Sequence, residues 1–134
     1  MPPVKKSSTA SRTPRKRPAA PDPSSWLACV RAAESRKASE IRVLDLRNLT
    51  SFADYFVLCT GSNQRQIQAI CDEVLRVMKL RGELPISLEG YDHAEWVLVD
   101  FGDLLVHVFS EKSRAYYDLD RLWRDADAVP IPPE

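Results

Sequence analysis

Residues 89–110, EGYDHAEWVLVDFGDLLVHVFS, leave the chain few ways to fold. They read as two strands joined at Gly102-Asp103. A glycine opening a two-residue loop signals a type II′ hairpin, because it accepts positive φ there without steric cost. A turn at this point fixes the register. Phe101 stands opposite Leu104, Val99 opposite Val106 and Val97 opposite Val108. Side chains alternate along a strand, so all six share one face, and that wholly apolar face has to be core. The other face pairs Asp100 with Leu105, Leu98 with His107 and Trp96 with Phe109. Large aromatics beside charge suit a partner-binding patch. A helix covering the face, with Trp96 in the core, accounts for the same pattern.

The rest of the chain supplies layers for this hairpin. A first helix is expected from Ser25 to about Ala38, capped by Ser24 or Ser25. Strands follow at Ile41–Leu46 and Asp54–Cys59; the second is short and rich in β-branched and aromatic residues, which favours a buried strand. A second helix begins after Gly61, where Asn63 and Gln66 have capping-box spacing. Ile67, Ile70, Cys71, Val74, Val77 and Met78 give it one apolar face, and Gly82 ends it. Leu84–Leu88 is a third strand, moved towards a sheet edge by Pro85. A third helix is expected over about Glu111–Arg124, capped by Ser110, with Tyr116, Leu119, Leu122 and Trp123 as its apolar stripe and Tyr117 off it. The order predicts an α/β fold, a five-stranded mixed sheet with flanking helices. Residues 24–124 form the domain, and 125–134 are expected to be a flexible tail.

Charge separates the tail from the domain. Residues 1–21 hold six basic residues and no acid, leaving 13 of the 19 basic residues with all 19 acids in the remainder. Residues 1–23 offer almost nothing to bury and are expected to be disordered; the basic stretch could touch nucleic acid, ribosomal or other, non-specifically through phosphates. An acid-free N-terminus is also compatible with an organelle transit peptide, but five prolines before residue 22 oppose the amphipathic helix such peptides form. An acidic domain favours a basic protein partner over bare nucleic acid. The three cysteines, Cys29, Cys59 and Cys71, are odd in number and form no Cys-x-x-Cys; with only His93 and His107 they give no zinc spacing. They read as reduced thiols packed as small hydrophobes in a reducing compartment. No apolar run suggests a membrane span.

Catalytic signals are sparse. Thr60-Gly61-Ser62, at a strand-to-helix junction, could present backbone N–H groups to a phosphate. Nucleotidyltransferases pair such a turn with carboxylates spaced Asp-x-Asp. Here the next acids, Asp72 and Glu73, are adjacent on a helix and point to different sides, so they cannot jointly cage a metal. No cofactor and no metal is expected, and an enzyme using the Gly61-Ser62 turn is the alternative reading. His107 is a lone strand histidine, and His93 falls in a loop. The acids Glu89, Asp92, Glu95, Asp100, Asp103 and Glu111 cluster around the hairpin. They read as a solvated rim or as an acidic frame around an aromatic anchor, suited to a basic partner.

One ordered set of residues resembles the ribosomal silencing factor family, also called the Iojap family. It comprises Asp45-Leu46-Arg47, Asp54-Tyr55-Phe56-Val57, Thr60-Gly61-Ser62, Glu89-Gly90, Trp96 to Asp100 with Gly102-Asp103, Val106-His107-Val108-Phe109, then Arg114, Tyr117, Leu119 and Leu122-Trp123. The resemblance covers about residues 25–124. It implies a nucleotidyltransferase-like fold without the metal carboxylates and a non-enzymatic role. It further implies binding to the large ribosomal subunit through ribosomal protein L-fourteen, steric exclusion of the small subunit, repression of translation in starvation or stationary phase, and a possible homodimer when free. Trp96 matches the family's interface tryptophan and Tyr117 the tyrosine of its C-terminal helix motif. Glu95, Asp100, Asp103 and His107 complete the expected partner-binding set. The basic N-terminus and proline-rich C-terminus depart from the family pattern; a bacterial cytoplasm is expected ahead of an organelle.

Overall fold

The computed structural model describes residues 24–134, so the expected disorder of residues 1–23 lies outside the described residues. The chain folds as α1 (Ser24–Ser35), β1 (Ser39–Asp45), β2 (Tyr55–Gly61), α2 (Gln64–Leu80), β3 (Ser87–Glu89), β4 (Trp96–Asp100), β5 (Leu104–Ser110), α3 (Glu111–Tyr117), α4 (Leu119–Leu122) and β6 (Asp127–Ala128). The strands form one mixed sheet in the order β3-β4-β5-β2-β1-β6, in which only β2 and β5 run parallel. These two central strands are buried almost throughout, as expected of apolar runs covered on both faces.

The β4–β5 hairpin has the register read from the sequence: Trp96 faces Phe109, Val97 faces Val108, Leu98 faces His107, Val99 faces Val106 and Asp100 faces Leu105. Gly102 takes φ of +101° at the turn. Val97, Val99, Val106, Val108 and Leu104 join the core beneath α1 and α2, with Phe101 packed at its margin. The opposite face carries a second core of Leu44, Leu46, Phe56, Leu58, Leu98, Leu105, Phe109 and Leu119. Among the described residues no long helix covers it; the 46–53 loop, the short C-terminal helices and Trp123 do.

Local signals place α2 well. Asn63 Oδ1 accepts the Gln66 backbone N–H at 2.8 Å, and Gln66 Oε1 reaches back to the Ser62 N–H at 2.6 Å. Gly82, at φ +82°, closes the helix: its N–H bonds the Lys79 carbonyl and the Glu83 N–H bonds that of Met78, a Schellman arrangement. The third strand is indeed at the sheet edge, shorter than expected.

Three expectations are corrected. The first helix ends at Ser35 rather than Ala38. Lys37 adopts φ of +66°, with the Lys37 and Ala38 N–H groups closing on Glu34 and Ala33, so a lysine does what glycine usually does. The single helix expected over Glu111–Arg124 is two. Asp118 sits in the left-handed region (φ 50°, ψ 52°) and turns the chain between α3 and α4. That break buries Leu119 but leaves Tyr116 and Leu122, assigned to an apolar stripe, 79% and 65% exposed. The segment expected to be a loose tail adds a sixth strand: β6 pairs with β1, the Val129 N–H bonds the Val43 carbonyl at 2.8 Å, and Arg31 holds the Pro132 carbonyl at 2.7 Å.

All three cysteines are buried free thiols in the helix-side core. Burial pushes the Cys29 and Cys59 thiols up to about 12, so they stay protonated and behave as small apolar groups.

Candidate functional site

The end of the hairpin away from its turn gathers an aromatic cluster. Trp96 opens β4 directly opposite Phe109, and the two rings stack with centroids 5.3 Å apart at 27°. Tyr117, the last residue of α3, lies 4.6 Å from the Trp96 ring, and Tyr116 meets Tyr117 edge-on at 4.9 Å. Trp96 is half-buried, Tyr117 is 48% exposed and Tyr116 is more exposed still. The cluster therefore spans from core to solvent. Tyr116 was missed as a surface residue because the helix break that turns it outward carries no glycine signal.

Two backbone features set the approach to Trp96. Gly90 has φ of +81°, and a Cβ there would collide with the Trp96 carbonyl, so only glycine fits. Ala94 is held at φ of +53°, and the Gln64 and Gln68 side chains of α2 bond the His93 and Tyr91 carbonyls at 2.8 and 3.0 Å, tying the 90–95 loop down. Glu95 is exposed beside Trp96. Its Oε1 accepts the Ser110 hydroxyl at 2.8 Å, while Ser110 caps α3 through the Ser113 N–H at 3.0 Å.

The helix that carries both tyrosines and the short helix after it are held by a cluster the sequence did not disclose. Arg114 is 8% exposed. Its guanidinium grips both carboxylate oxygens of Asp120 at 2.8 and 3.1 Å, the Thr60 hydroxyl at 2.8 Å and the Glu40 carbonyl at 3.0 Å. Arg42 adds a second contact to Asp120 at 2.7 Å. Hydrogen bonds from Arg114, then from Arg42, hold the Asp120 carboxyl down to about 2. Glu40 presents its carbonyl because the β1–β2 pairing is irregular between Ser39 and Arg42, with Glu40 at φ of +50°. One arginine thus ties α3 and α4 to β1 and β2. Tyr117 lies between the two residues of the ion pair.

Of the six residues expected to meet a partner, four fall at this end and two do not. Trp96, Tyr117 and Glu95 reach the surface. His107 is there but fully buried, accepting the Trp96 indole N–H at 3.0 Å through Nδ1. Burial, with the Arg114 charge second, holds its pKa down to about 3. Asp100 and Asp103 belong to the turn, about 13 Å away along a four-residue stretch of strand. Asp100 is only 5% exposed and accepts the Gly102 N–H at 2.8 Å. It shapes the hairpin turn instead of facing outward, which corrects its placement in an acidic frame. The half-buried Asp103 receives the Asp54 and Tyr55 N–H groups on its backbone carbonyl. Period-two alternation placed these side chains on the right face, but it says nothing about what covers each end of that face.

The Gly61-Ser62 turn is organised for packing. A Cβ on Gly61 would lie 2.7 Å from Ile67 Cγ1, so glycine lets α2 approach β2. The Ser62 and Gln66 N–H groups are already taken by Gln66 and Asn63 side chains. Asp72 accepts the Tyr91 hydroxyl, whereas Glu73 pairs with Arg76 and Arg36. Among the described residues no three His, Cys, Asp or Glu side chains are grouped to hold a metal ion, and no helix is long and apolar enough to cross a membrane.

Comparison with known proteins agrees with this arrangement. The family model described as "Ribosomal silencing factor during starvation" matches residues 19–134. A ribosomal silencing factor from Halalkalibacterium halodurans is 41% identical over 102 residues, covering 76% of this chain and 87% of the relative. One from Bacillus subtilis is 42% identical over 95 residues, covering 71% and 80%. A crystal structure of a protein from Bacillus halodurans superposes with a TM-score of 0.73 at 36% identity, covering 81% of this chain and 99% of that one. With the family model spanning the whole described domain and relatives above 40% identity over most of both chains, the chain belongs to the ribosomal silencing factor family.

Proposed function

We propose that this chain silences translation by docking on the large ribosomal subunit at ribosomal protein L-fourteen and sterically blocking the small subunit from joining. Membership of a family of non-enzymatic ribosome regulators supports the class of activity. The observation that carries the site is the Trp96–Tyr117 pair, two large aromatics in contact at the surface on a rigid base of sheet and ion pair. Aromatic anchors surrounded by polar groups carry most of the energy in protein interfaces. Exposed Glu95 beside them suits a basic partner. Asp100 and His107 are buried behind the surface, and half-buried Asp103 sits at the hairpin turn.

The test is subunit joining. Purified large and small subunits are mixed with and without the chain, and joined ribosomes are followed by light scattering. Fewer joined ribosomes, with the chain found on large subunits alone, is the expected result. Undiminished joining at saturating chain would contradict it. A free homodimer and a bacterial cytoplasmic location are part of the same reading; concentration-dependent sedimentation of the free chain checks the first and localisation of the tagged chain in its native cells the second. Residues 5–17 are proposed to add weak ribosomal RNA contact, so their deletion should flatten the salt dependence of large-subunit binding.

A further inference from the structure

Trp96 has one polar atom, and the fold has already satisfied it. Its indole N–H points inward, 3.0 Å from His107 Nδ1. Tryptophan only donates, so the histidine nitrogen must accept and carries no proton. In the neutral ring the remaining proton is on Nε2, a buried atom with no hydrogen-bond partner among the described residues. His107 is diagonal to Trp96 on the same hairpin face, parallel to the Phe109 ring at 6.0 Å and edge-on to Phe56 at 4.5 Å. A leucine could occupy this apolar place without the unpaired Nε2 hydrogen, but it would offer the Trp96 N–H no acceptor. What histidine supplies beyond volume is an acceptor aimed at Trp96.

We propose that His107 is a positioning residue: from inside the core it accepts the Trp96 indole N–H, holds the ring in one orientation and leaves the docking partner only the ring's hydrocarbon edge and π face. The proposal deepens the docking reading and rests on it. Interface tryptophans often keep their N–H for the partner; here it is directed into the protein. The partner side chain that meets Trp96 is therefore apolar, or a cation placed over the ring. A ring already held by His107, Phe109 and Tyr117 has little rotamer freedom left to lose on docking.

The test uses the full chain, uniformly labelled with nitrogen-15. A scalar coupling between Trp96 Nε1 and His107 Nδ1, with a slowly exchanging indole proton, is expected. No coupling and an indole proton that exchanges like a solvent-exposed one would overturn the proposal. Two variants then separate positioning from filling. His107→Leu keeps volume and removes the acceptor; the Trp96 indole signal should shift and broaden into more than one orientation, with large-subunit affinity falling roughly tenfold. His107→Gln restores an acceptor and should keep a single indole signal and affinity within about threefold. If His107→Leu changed only thermal stability, leaving signal and affinity as they were, the histidine would be filler and the proposal wrong. Should Trp96→Ala leave affinity intact, the docking reading fails, while the coupling still decides whether His107 holds the ring.

Discussion

On the helix side of the β4–β5 hairpin, Val97, Val99, Val106 and Val108 meet α1 and α2 through apolar contacts, with polar contacts such as those of Gln64 and Gln68 at the rim. On the opposite side the same two strands carry Leu98, His107, Phe109 and Trp96 beneath two short helices, and those helices are held by the Arg114–Asp120 ion pair. The first face is sealed by area. The second is held by a few directed contacts and left open at one end, where Trp96 and Tyr117 emerge. A face sealed by area alone has no reason to expose an aromatic. One that is pinned can expose a tryptophan and still keep it in place.

The contrast is sharpest at two adjacent residues. Val97 is fully buried and Trp96 half-buried, on opposite faces of β4. Val97→Asp puts an uncompensated carboxylate in the core and should cost more than about 4 kcal/mol, enough to abolish cooperative unfolding. Trp96→Ala should leave one cooperative transition in denaturant. If both variants unfold alike, Trp96 is a core residue and the two faces are not different in kind.

Arg114→Ala should cost about 2–3 kcal/mol in denaturant melts. Removing one partner of a buried pair costs more, but Asp120 keeps 26% exposure and screening reduces the loss. The damage should be local to the C-terminal side, so amide exchange should rise in α3, α4 and β6 and stay slow in α2. Uniform acceleration would mean that the two sides unfold as one.

Acid should weaken the same side. Burial lowers the His107 pKa from 6.5 to about 3, so the fold prefers the neutral ring; that stability is complete above about pH 6.5 and is lost as pH falls towards 3. The Asp120 pKa is lowered from 3.8 to about 2 by its arginines, so its contribution is present above about pH 4 and lost as pH drops through 2. Both signs agree. The melting temperature should fall steadily from pH 7 to pH 4, less so in His107→Leu. A flat profile would contradict the burial of a neutral His107.

The smallest effect is at the cap. Ser110→Ala removes the α3 N-cap and the hydroxyl held by Glu95, and should cost about 1 kcal/mol. It should loosen Tyr117 more than Trp96, readable as faster exchange in α3 alone.

What could be read from residues alone follows the same division. The hairpin register came from Gly102 and strict alternation, and α2 came from Asn63, Gln66 and Gly82. These are local rules with residue-specific signals. The breaks at Lys37 and Asp118 were hidden because neither is the glycine that normally marks a left-handed helix stop. Arg114 could not be matched to Asp120, Thr60 and Glu40 by spacing, since the contacts span between six and 74 positions. The outward role expected of Asp100 fails because alternation fixes a face but not its cover. Tyr117 is legible as an aromatic off the helix stripe, whereas alternation leaves Trp96 open between surface and core; their contact and the buried acceptor behind Trp96 required the fold.

The proposed docking surface for the large subunit is the Trp96–Tyr117 pair. Co-sedimentation with isolated large subunits, comparing the wild-type chain with Trp96→Ala and Tyr117→Ala, tests it most directly. Truncation of the tryptophan anchor should weaken binding by about 2–4 kcal/mol with cooperative folding retained. Binding by folded Trp96→Ala and Tyr117→Ala chains at wild-type affinity would contradict the account.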